Sequence, residues 1–128
     1  MKLLLDTHTL LWWAFDSAEL SPRIRALIAD RSNTIFVSSA SAWEISTKHR
    51  LGRLPEADVL VQDMTAWFVR AGLTELPITV AHAQRAGSLP QPHRDPFDRM
   101  LAAQALLEDL PIAGVDEALK AFGVALVW

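Results

Sequence analysis

Short apolar runs alternate along this chain with segments that carry the start signals of helices. The first run, Lys2–Leu5, is too short for a helix and stops at Asp6, which predicts a buried strand of a parallel sheet. Thr34–Val37 is predicted as a second strand because β-branched and aromatic residues dominate it. Between them, Ser21 and Pro22 are typical of the N-cap and first position of a helix.

The rest of the chain continues this alternation. Further strands are predicted at Glu75–Ile78, Pro111–Val115 and Val124–Trp128, and helices at 10–15, 39–49, 55–70 and 79–87, with one more from Pro96 and a short one near Asp116. Strands that alternate with helices form βαβ units with a parallel sheet. The sequence therefore predicts one domain, residues 1–128, folded as an α/β/α sandwich around a mainly parallel sheet of about four to five strands.

The composition of the chain indicates which cellular compartment and which kinds of partner to expect. Hydrophobic residues make up 51% of it and its mean hydropathy is +0.18, which indicates an extra buried surface against a partner or a second copy. No apolar run approaches the ~20 residues of a membrane-spanning helix, and Asp6 interrupts the first run too early for a signal peptide. Because cysteine is absent, disulfides and thiolate chemistry are excluded, and we expect a cytoplasmic protein.

The formal net charge of −3 argues against a simple basic module that binds nucleic acid. It leaves a nuclease open, because metal-binding carboxylates count as negative only while the metal is absent. The tryptophans are assigned to the core by default, although the consecutive Trp12 and Trp13 cannot both point inward on one helix. One of that pair is therefore expected to meet a partner.

The segment His93–Arg99 has the pattern of a helix start. Asp95 suits the N-cap, Pro96 suits the first helical position, and Asp98 falls at the third, as in a capping box. Both acids could simply stabilise the helix N-terminus. Counting by three and four from Asp98, however, gives a small apolar face formed by Leu101, Ala102 and Ala105. A carboxylate at the edge of that face is costly unless a positive charge meets it.

Three further acids fall where predicted strands end and helices begin. Asp6 closes the first strand, Asp116 follows the strand at 111–115, and Glu44 lies in the second turn of the helix after the second strand. With Asp98 they should share one rim of the sheet, where ligands of α/β folds bind. Carboxylates gathered without lysine partners raise one another's pKa. Oxygen ligands of this kind suit Mg²⁺ or Mn²⁺.

Each of these acids also has a purely structural interpretation. Asp6 could cap the helix that follows it, and Asp116 could be an ordinary N-cap. Glu44 could pair with Lys48 four residues on, an arrangement worth ~0.3–0.5 kcal/mol. Individually the signals are weak, but their common position at one rim favours a metal site.

Several motifs together resemble the PIN-domain family, and more closely the VapC-type toxins of bacterial type II toxin–antitoxin systems. They are Leu3–His8, Ser41–Ile45, Arg94–Gln104 and Val115–Asp116, which occur in the order and at the spacing of that family. The Trp-Glu-Ile and Asp-Pro-Phe-Asp-Arg pieces are specific in combination. The resemblance extends over essentially the whole chain.

The resemblance implies a metal-dependent endoribonuclease with Asp6, Glu44, Asp98 and Asp116 as its acidic quartet. It implies that Mg²⁺ or Mn²⁺ activates a water and stabilises charge on the phosphate, with Asp6 as the ligand that two ions would share. Glu44 and Asp98 would complete one metal site, and Asp116 the outer one. The partners implied are an RNA substrate, a cognate antitoxin and a second copy in a homodimer.

One position departs from the family pattern, in which Thr or Ser often stands two residues before the last Asp. Gly114 stands there in this chain, so the hydroxyl contact is absent or supplied elsewhere, for example by Thr7. Arg94 and Arg99 flank the helix start and are the basic residues expected to contact RNA. The four histidines lack the spacing of zinc ligands and are assigned structural or exposed positions.

Two other functions compete with the toxin ribonuclease. The first is another phosphodiesterase or nuclease on the same scaffold. The second is a Mg²⁺-dependent phospho-acceptor signalling domain, which also places Asp at a strand end. That class needs paired acids after the first strand and a Lys after a late strand, whereas Thr7 follows Asp6 and Lys120 falls in a helical stretch.

Overall fold

The computed structural model describes residues 1–128 and contains a five-stranded sheet in which every strand pair is parallel. The strands lie side by side in the order β3-β2-β1-β4-β5. Their bounds are β1 Lys2–Leu5, β2 Thr34–Ser38, β3 Thr74–Leu76, β4 Ile112–Ala113 and β5 Leu126–Val127. The predicted α/β sandwich is confirmed. The strand order differs from the flavodoxin-like order 2-1-3-4-5, which phospho-acceptor signalling domains share.

Seven helices connect and cover the strands: α1 Thr7–Ala14, α2 Pro22–Ala29, α3 Ser39–Arg50, α4 Asp58–Gln62, α5 Met64–Arg70, α6 Val80–Ser88 and α7 Pro96–Glu108. Two short 3₁₀ segments lie at Pro55–Ala57 and Glu117–Phe122. Side-chain caps start most of the α-helices, because their first backbone N–H groups have no partner within the helix. No helix is both long enough and apolar enough to cross a membrane.

The structure corrects two predicted helices. The helix predicted over 55–70 is broken at Asp63, whose extended backbone ends α4 and whose side chain accepts a hydrogen bond from the Ala66 N–H to start α5. The local cap therefore outweighs the apolar periodicity that runs through this segment. The first helix begins at Thr7 rather than at 10, because Asp6 acts as its N-cap.

β1 lies at the centre of the molecule and is buried on both faces. Leu3 and Leu5 belong to one hydrophobic cluster and Leu4 to the other, as the two-residue period of a strand requires. All three leucines are fully buried. The first cluster joins β1 to α1, α2 and α5, and the second joins it to α7 and the 3₁₀ segment at 117–122. The residue that follows Leu5 is therefore held at the centre of the sheet edge.

Buried polar side chains tie the site-bearing helices to the sheet. Ser38 Oγ donates to Gln104 Oε1, and Gln104 Nε2 donates to the Pro77 carbonyl at 3.2 Å, so that α7 is fixed to the ends of β2 and β3. Thr9 Oγ1 donates to the Ala113 carbonyl at 2.8 Å and fixes α1 to β4. Because these groups are buried, each depends on its partner.

We expect Ser38→Ala to lower the free energy of unfolding by about 1–3 kcal/mol, because it removes the cap on the Ala40 N–H and leaves Gln104 without its hydroxyl partner. The measurement is the urea midpoint and slope. Ser46→Ala on the same helix is the control, since Ser46 is exposed and should stay within about 0.5 kcal/mol of wild type. Equal effects of the two substitutions would contradict a role for the buried network.

Candidate active site

The four predicted acids lie at the carboxyl edge of the sheet. Asp6 follows β1, Asp116 follows β4, Glu44 lies on α3 after β2, and Asp98 lies in the first turn of α7. Asp6 and Asp116 face a shared cleft of about 270 Å³. The edge is the one at which ligands of parallel sheets bind.

Asp6 combines the two interpretations that the sequence left open. Its side chain is only 4% exposed and accepts a hydrogen bond from the His8 N–H at 3.3 Å, so it caps α1 while it remains at the rim. Its Oδ2 also lies 3.5 Å from His8 Nδ1. The hydrogen bond to Asp6 raises the pKa of His8, and the charges of Asp6 and Glu44 act in the same direction.

Gly114 lets the backbone of the β4 end pass close to Asp6. A Cβ atom at this position would lie 3.0 Å from Asp6 Cβ, tighter than ordinary packing allows without a shift of the neighbour. Gly114, the residue that departs from the family pattern, is thus the residue whose backbone packs directly against Asp6. Thr7, which could have replaced the missing hydroxyl contact, instead forms a buried hydrogen bond of 2.9 Å with Ser41 and links α1 to α3.

Glu44 is buried, at 3% exposure, and its Oε2 lies 2.6 Å from Lys48 Nζ. The Glu44–Lys48 ion pair, which the sequence allowed as a purely structural interpretation of Glu44, is therefore present. It is not an ordinary surface pair, because one partner is almost fully removed from water. A buried carboxylate with a single flexible cation beside it can exchange that cation for another.

Asp98 carries the clearest electrostatic sign of a cluster. Its pKa is raised to about 6, first by burial and then by the charges of three other carboxylates, those of Asp95, Asp6 and Asp116. His93 lowers it through a hydrogen bond in which Nε2 lies 2.9 Å from Asp98 Oδ2. The raised pKa was expected for carboxylates that share one site.

The two aspartates of the helix start have different contacts. Asp95 caps α7, accepting hydrogen bonds from the N–H groups of Phe97 at 2.9 Å and Asp98 at 3.4 Å. Asp98 makes no cap contact and is directed to His93. Asp116 is the N-cap of the 3₁₀ segment that follows it and accepts from the Ala118 N–H at 3.0 Å.

The donor set fits a hard divalent cation, because it consists of carboxylate oxygens at one sheet edge. No three acid or imidazole groups converge closely enough in the observed arrangement to hold a metal ion. In this arrangement the protein's own cationic and imidazole groups contact the carboxylates: His8 lies at Asp6, Lys48 at Glu44 and His93 at Asp98. A metal ion has to compete with these groups for the same oxygen atoms.

Arg99 was predicted to contact RNA, but the structure uses its guanidinium group internally. Nε donates to the Ala86 carbonyl, Nη2 to that of Leu89, and Nη1 to those of Gln91 and His93, at 2.6 to 3.0 Å. These bonds use four of the five N–H donors of the guanidinium and leave a single N–H on Nη2, so Arg99 cannot bind a phosphate through two parallel hydrogen bonds. Arg94, in contrast, is exposed and forms neither a hydrogen bond nor an ion pair.

His93 is the site residue that sequence reasoning missed, since it was assigned a structural or exposed position. Arg99 holds the loop at 89–93, and the His93 ring packs edge-on against Phe122 with centroids 5.6 Å apart. These contacts place its imidazole on Asp98. A signal existed in the sequence, because His93 stands directly in the helix-start motif, five residues before Asp98.

The family model described as PIN domain matches residues 3–124, nearly the whole chain. The chain belongs to the PIN domain family. This assignment agrees with the strand order and excludes the phospho-acceptor signalling class.

Among curated proteins, this PIN domain is similar to Ribonuclease VapC16 of Mycobacterium tuberculosis (strain ATCC 25618 / H37Rv). The two are 34% identical over 76 residues, which is 58% of this chain and 54% of that protein. The match therefore spans about half the length of the relative.

Solved structures with the same fold include VapBC2 from Rickettsia felis bound to a promoter DNA fragment. That match has a TM-score of 0.73 at 16% identity and covers 100% of this chain and 99% of the other. FitAcB from Neisseria gonorrhoeae matches with a TM-score of 0.68 at 18% identity, covering 98% and 96%. At these identities the likeness concerns the fold.

We expect Asp98→Asn to stabilise the protein in a pH-dependent way. The folded-state pKa of about 6 lies above the unfolded-state value, so the ionised carboxylate destabilises the fold above about pH 6, and this cost disappears as the pH falls below it. Near pH 8 the variant should gain about 1–2 kcal/mol, less than the full shift would give because solvent still reaches the group.

Urea denaturation of wild type and variant at several pH values measures this difference. Glu75→Gln serves as the control, since Glu75 is exposed and has no ion pair. A gain that does not shrink between about pH 8 and pH 5 would contradict the electrostatic origin.

We expect Arg99→Lys to lower the free energy of unfolding by about 2–3 kcal/mol, because a single ammonium group cannot satisfy four carbonyl groups spread over residues 86 to 93. Hydrogen exchange should speed up in the loop at 89–93. Arg94→Lys is the matched control, five residues away and unpaired, with an expected change within about 0.5 kcal/mol. Similar losses of stability in both variants would show that the hydrogen bonds from Arg99 to the four carbonyl groups contribute nothing specific.

Proposed function

We propose that this PIN domain is a metal-dependent endoribonuclease that acts as the toxin of a toxin–antitoxin pair. The observation that carries the proposal is the position of four carboxylates at one edge of the sheet, two of them almost fully buried. Burial, and after it the charges of Asp95, Asp6 and Asp116, raise the pKa of Asp98, and carboxyl groups with a perturbed pKa occur preferentially at functional sites. The partial likeness to Ribonuclease VapC16 supports RNA as the substrate.

Asp6, Glu44 and Asp98 are the residues we assign to hold Mg²⁺ or Mn²⁺, with Asp116 as an outer ligand. When bound, such an ion lowers the pKa of a water and stabilises negative charge on a phosphate. Asp6 is held rigidly by its position at the end of the central strand and by its cap on α1. Lys48 and His93 keep the other two acids compensated until a cation replaces them.

Among the basic residues, we assign substrate contact to Arg94. It is unpaired, it is exposed, and it lies four residues before Asp98 in the loop that leads to α7. An arginine in this position can bind phosphate through two parallel hydrogen bonds. Arg99 contributes indirectly, because it fixes the loop in which Arg94 and His93 stand.

The proposed protein partners are a cognate antitoxin and a second copy of the chain in a homodimer. The fold's relatives include the VapBC2 and FitAcB structures, which supports a partner of the first kind. Large apolar side chains on the surface, among them Val69 and Val80, offer area that a partner can cover.

We expect Asp6→Asn to abolish metal-dependent cleavage of RNA and to relieve growth arrest in a host that lacks the antitoxin. Asparagine retains the capping oxygen for α1 but removes the charge that a metal needs, so the fold should survive. Cleavage is measured on single-stranded RNA with Mg²⁺ or Mn²⁺, and folding by the thermal midpoint.

Asp63→Asn is the matched control, because Asp63 also caps a helix but is not one of the four proposed site acids, and the variant should remain active and toxic. Titrating Mg²⁺ or Mn²⁺ should raise the thermal midpoint of wild type and of Asp63→Asn, but not of Asp6→Asn. Full toxicity of Asp6→Asn, or an equal metal response in all three proteins, would refute the proposed site.

A further inference from the structure

Trp43 is unusually exposed for a tryptophan on a helix that packs against the sheet. Sixty per cent of it is accessible, whereas the other four tryptophans are half-buried. It was assigned to the core on composition alone, and the structure corrects this. Phe97 fixes the indole in an edge-to-face contact, with ring centroids 4.8 Å apart and planes at 81°. The exposed ring is therefore held in one orientation while much of it faces solvent.

A groove of about 190 Å³ opens beside this aromatic pair. Its walls are apolar, and small residues, Ala40, Ala86 and Gly87, leave room between the helices. Cavities that bury drug-sized ligands measure roughly 300–1,000 Å³. The groove therefore suits a single flat ring system better than a larger molecule.

The groove adjoins the acids through both of its aromatic walls. Trp43 directly precedes Glu44 on α3, and Phe97 directly precedes Asp98 on α7. Both helices begin at the carboxyl edge of the sheet. The aromatic pair is therefore carried by the same two helix starts as two of the proposed site acids, Glu44 and Asp98.

The groove offers apolar contact to the face of a ring but almost no hydrogen-bonding groups to its edge. Its one charged lining residue is Arg99, and backbone carbonyls engage four of the five N–H donors of this side chain. No carboxylate lines it, so a neighbouring phosphate meets no repulsion inside the groove. The unpaired Arg94, next to the N-cap of α7, supplies a positive charge for the backbone of such a ligand.

We propose that Trp43 and Phe97 form a base-stacking subsite that holds one unpaired nucleobase of single-stranded RNA beside the scissile phosphate. Unstacked bases of single-stranded RNA bind in this way to aromatic side chains, and the contact tolerates every base because each has a π face. The inference rests on the proposed ribonuclease function and narrows its substrate to unpaired RNA. A duplex cannot present a free base face to the groove.

Two other occupants fit the observations less well. A helix from a protein partner docks through anchors at i, i+3 or i+4 and i+7, which spread over roughly 10 Å. A second copy of the chain needs roughly 800 Å² on each partner. A groove with room for one ring, adjoining the acids, favours a nucleobase over either.

The test uses the Asp6→Asn background for binding and the otherwise wild-type chain for cleavage. Trp43→Ala should weaken binding of a short single-stranded RNA, measured by fluorescence anisotropy, by about tenfold or more. Trp43→Phe, which keeps an aromatic face, should stay within about threefold of the parent. Val59→Ala is the matched control, because Val59 is also an exposed apolar residue on a helix: it lies on α4 and is 70% exposed, against 60% for Trp43.

Three further readouts separate stacking from a structural effect. Tryptophan fluorescence should be quenched when RNA binds, and Trp43→Ala should remove that quenching without changing the thermal midpoint. An oligonucleotide with one abasic position beside the cleaved bond should bind the parent as weakly as intact RNA binds Trp43→Ala. Duplex RNA should bind all variants equally weakly.

The outcomes distinguish this inference from the proposed function. If wild type cleaves RNA and Trp43→Ala cleaves and binds it equally well, the subsite is refuted while the ribonuclease stands. If Trp43→Ala alters the sedimentation mass and leaves RNA affinity unchanged, the groove is an interface between copies and the inference is wrong. Binding with Trp43-dependent quenching but without cleavage supports the subsite and refutes the nuclease. Failure of wild type to bind RNA refutes both.

Discussion

The burial of carboxylates at the end of the central strand, together with their mutual repulsion, is the constraint on which the rest of this structure depends. Asp6 and Glu44 are almost fully buried, and the charges of Asp6 and Asp116 act on Asp98, which burial already disfavours as an anion. Bringing like charges together in a region of low dielectric costs free energy that folding alone does not recover. The chain offsets part of that cost locally, with Lys48 at Glu44 and with imidazole groups at the other two buried acids.

Rigid connections keep the acids in place despite this repulsion. Hydroxyl and amide groups fix the ends of α1, α3 and α7 to one another and to the strands, and each of these buried bonds replaces contact with water. Arg99 adds the outermost connection by holding four carbonyl groups of the loop before α7. The site is therefore supported by contacts that extend well beyond the acids themselves, as functional sites generally require.

The same helix starts support both the acids and the exposed aromatic pair. In α3 and α7 an aromatic residue and an acid are consecutive, and the helical turn of about 100° between them directs the two side chains to different sides of the helix. Trp43 and Phe97 thus meet each other at the groove, while Glu44 is buried and Asp98 is half-buried. The packing of α3 and α7 therefore places the aromatic pair and two of the acids at neighbouring positions.

The sequence by itself determined the parallel α/β architecture, the position of the acids at one sheet edge and the cap formed by Asp95, because strand alternation, helix caps and the two-residue period are local properties. Tertiary structure alone decided that Arg99 binds backbone carbonyls rather than a ligand, that His93 reaches Asp98 and that Trp43 stays exposed. These outcomes depend on which segments meet across the fold. The composition of a segment indicates what it can contact, but only packing of distant segments determines which partner satisfies each charge and covers each apolar surface.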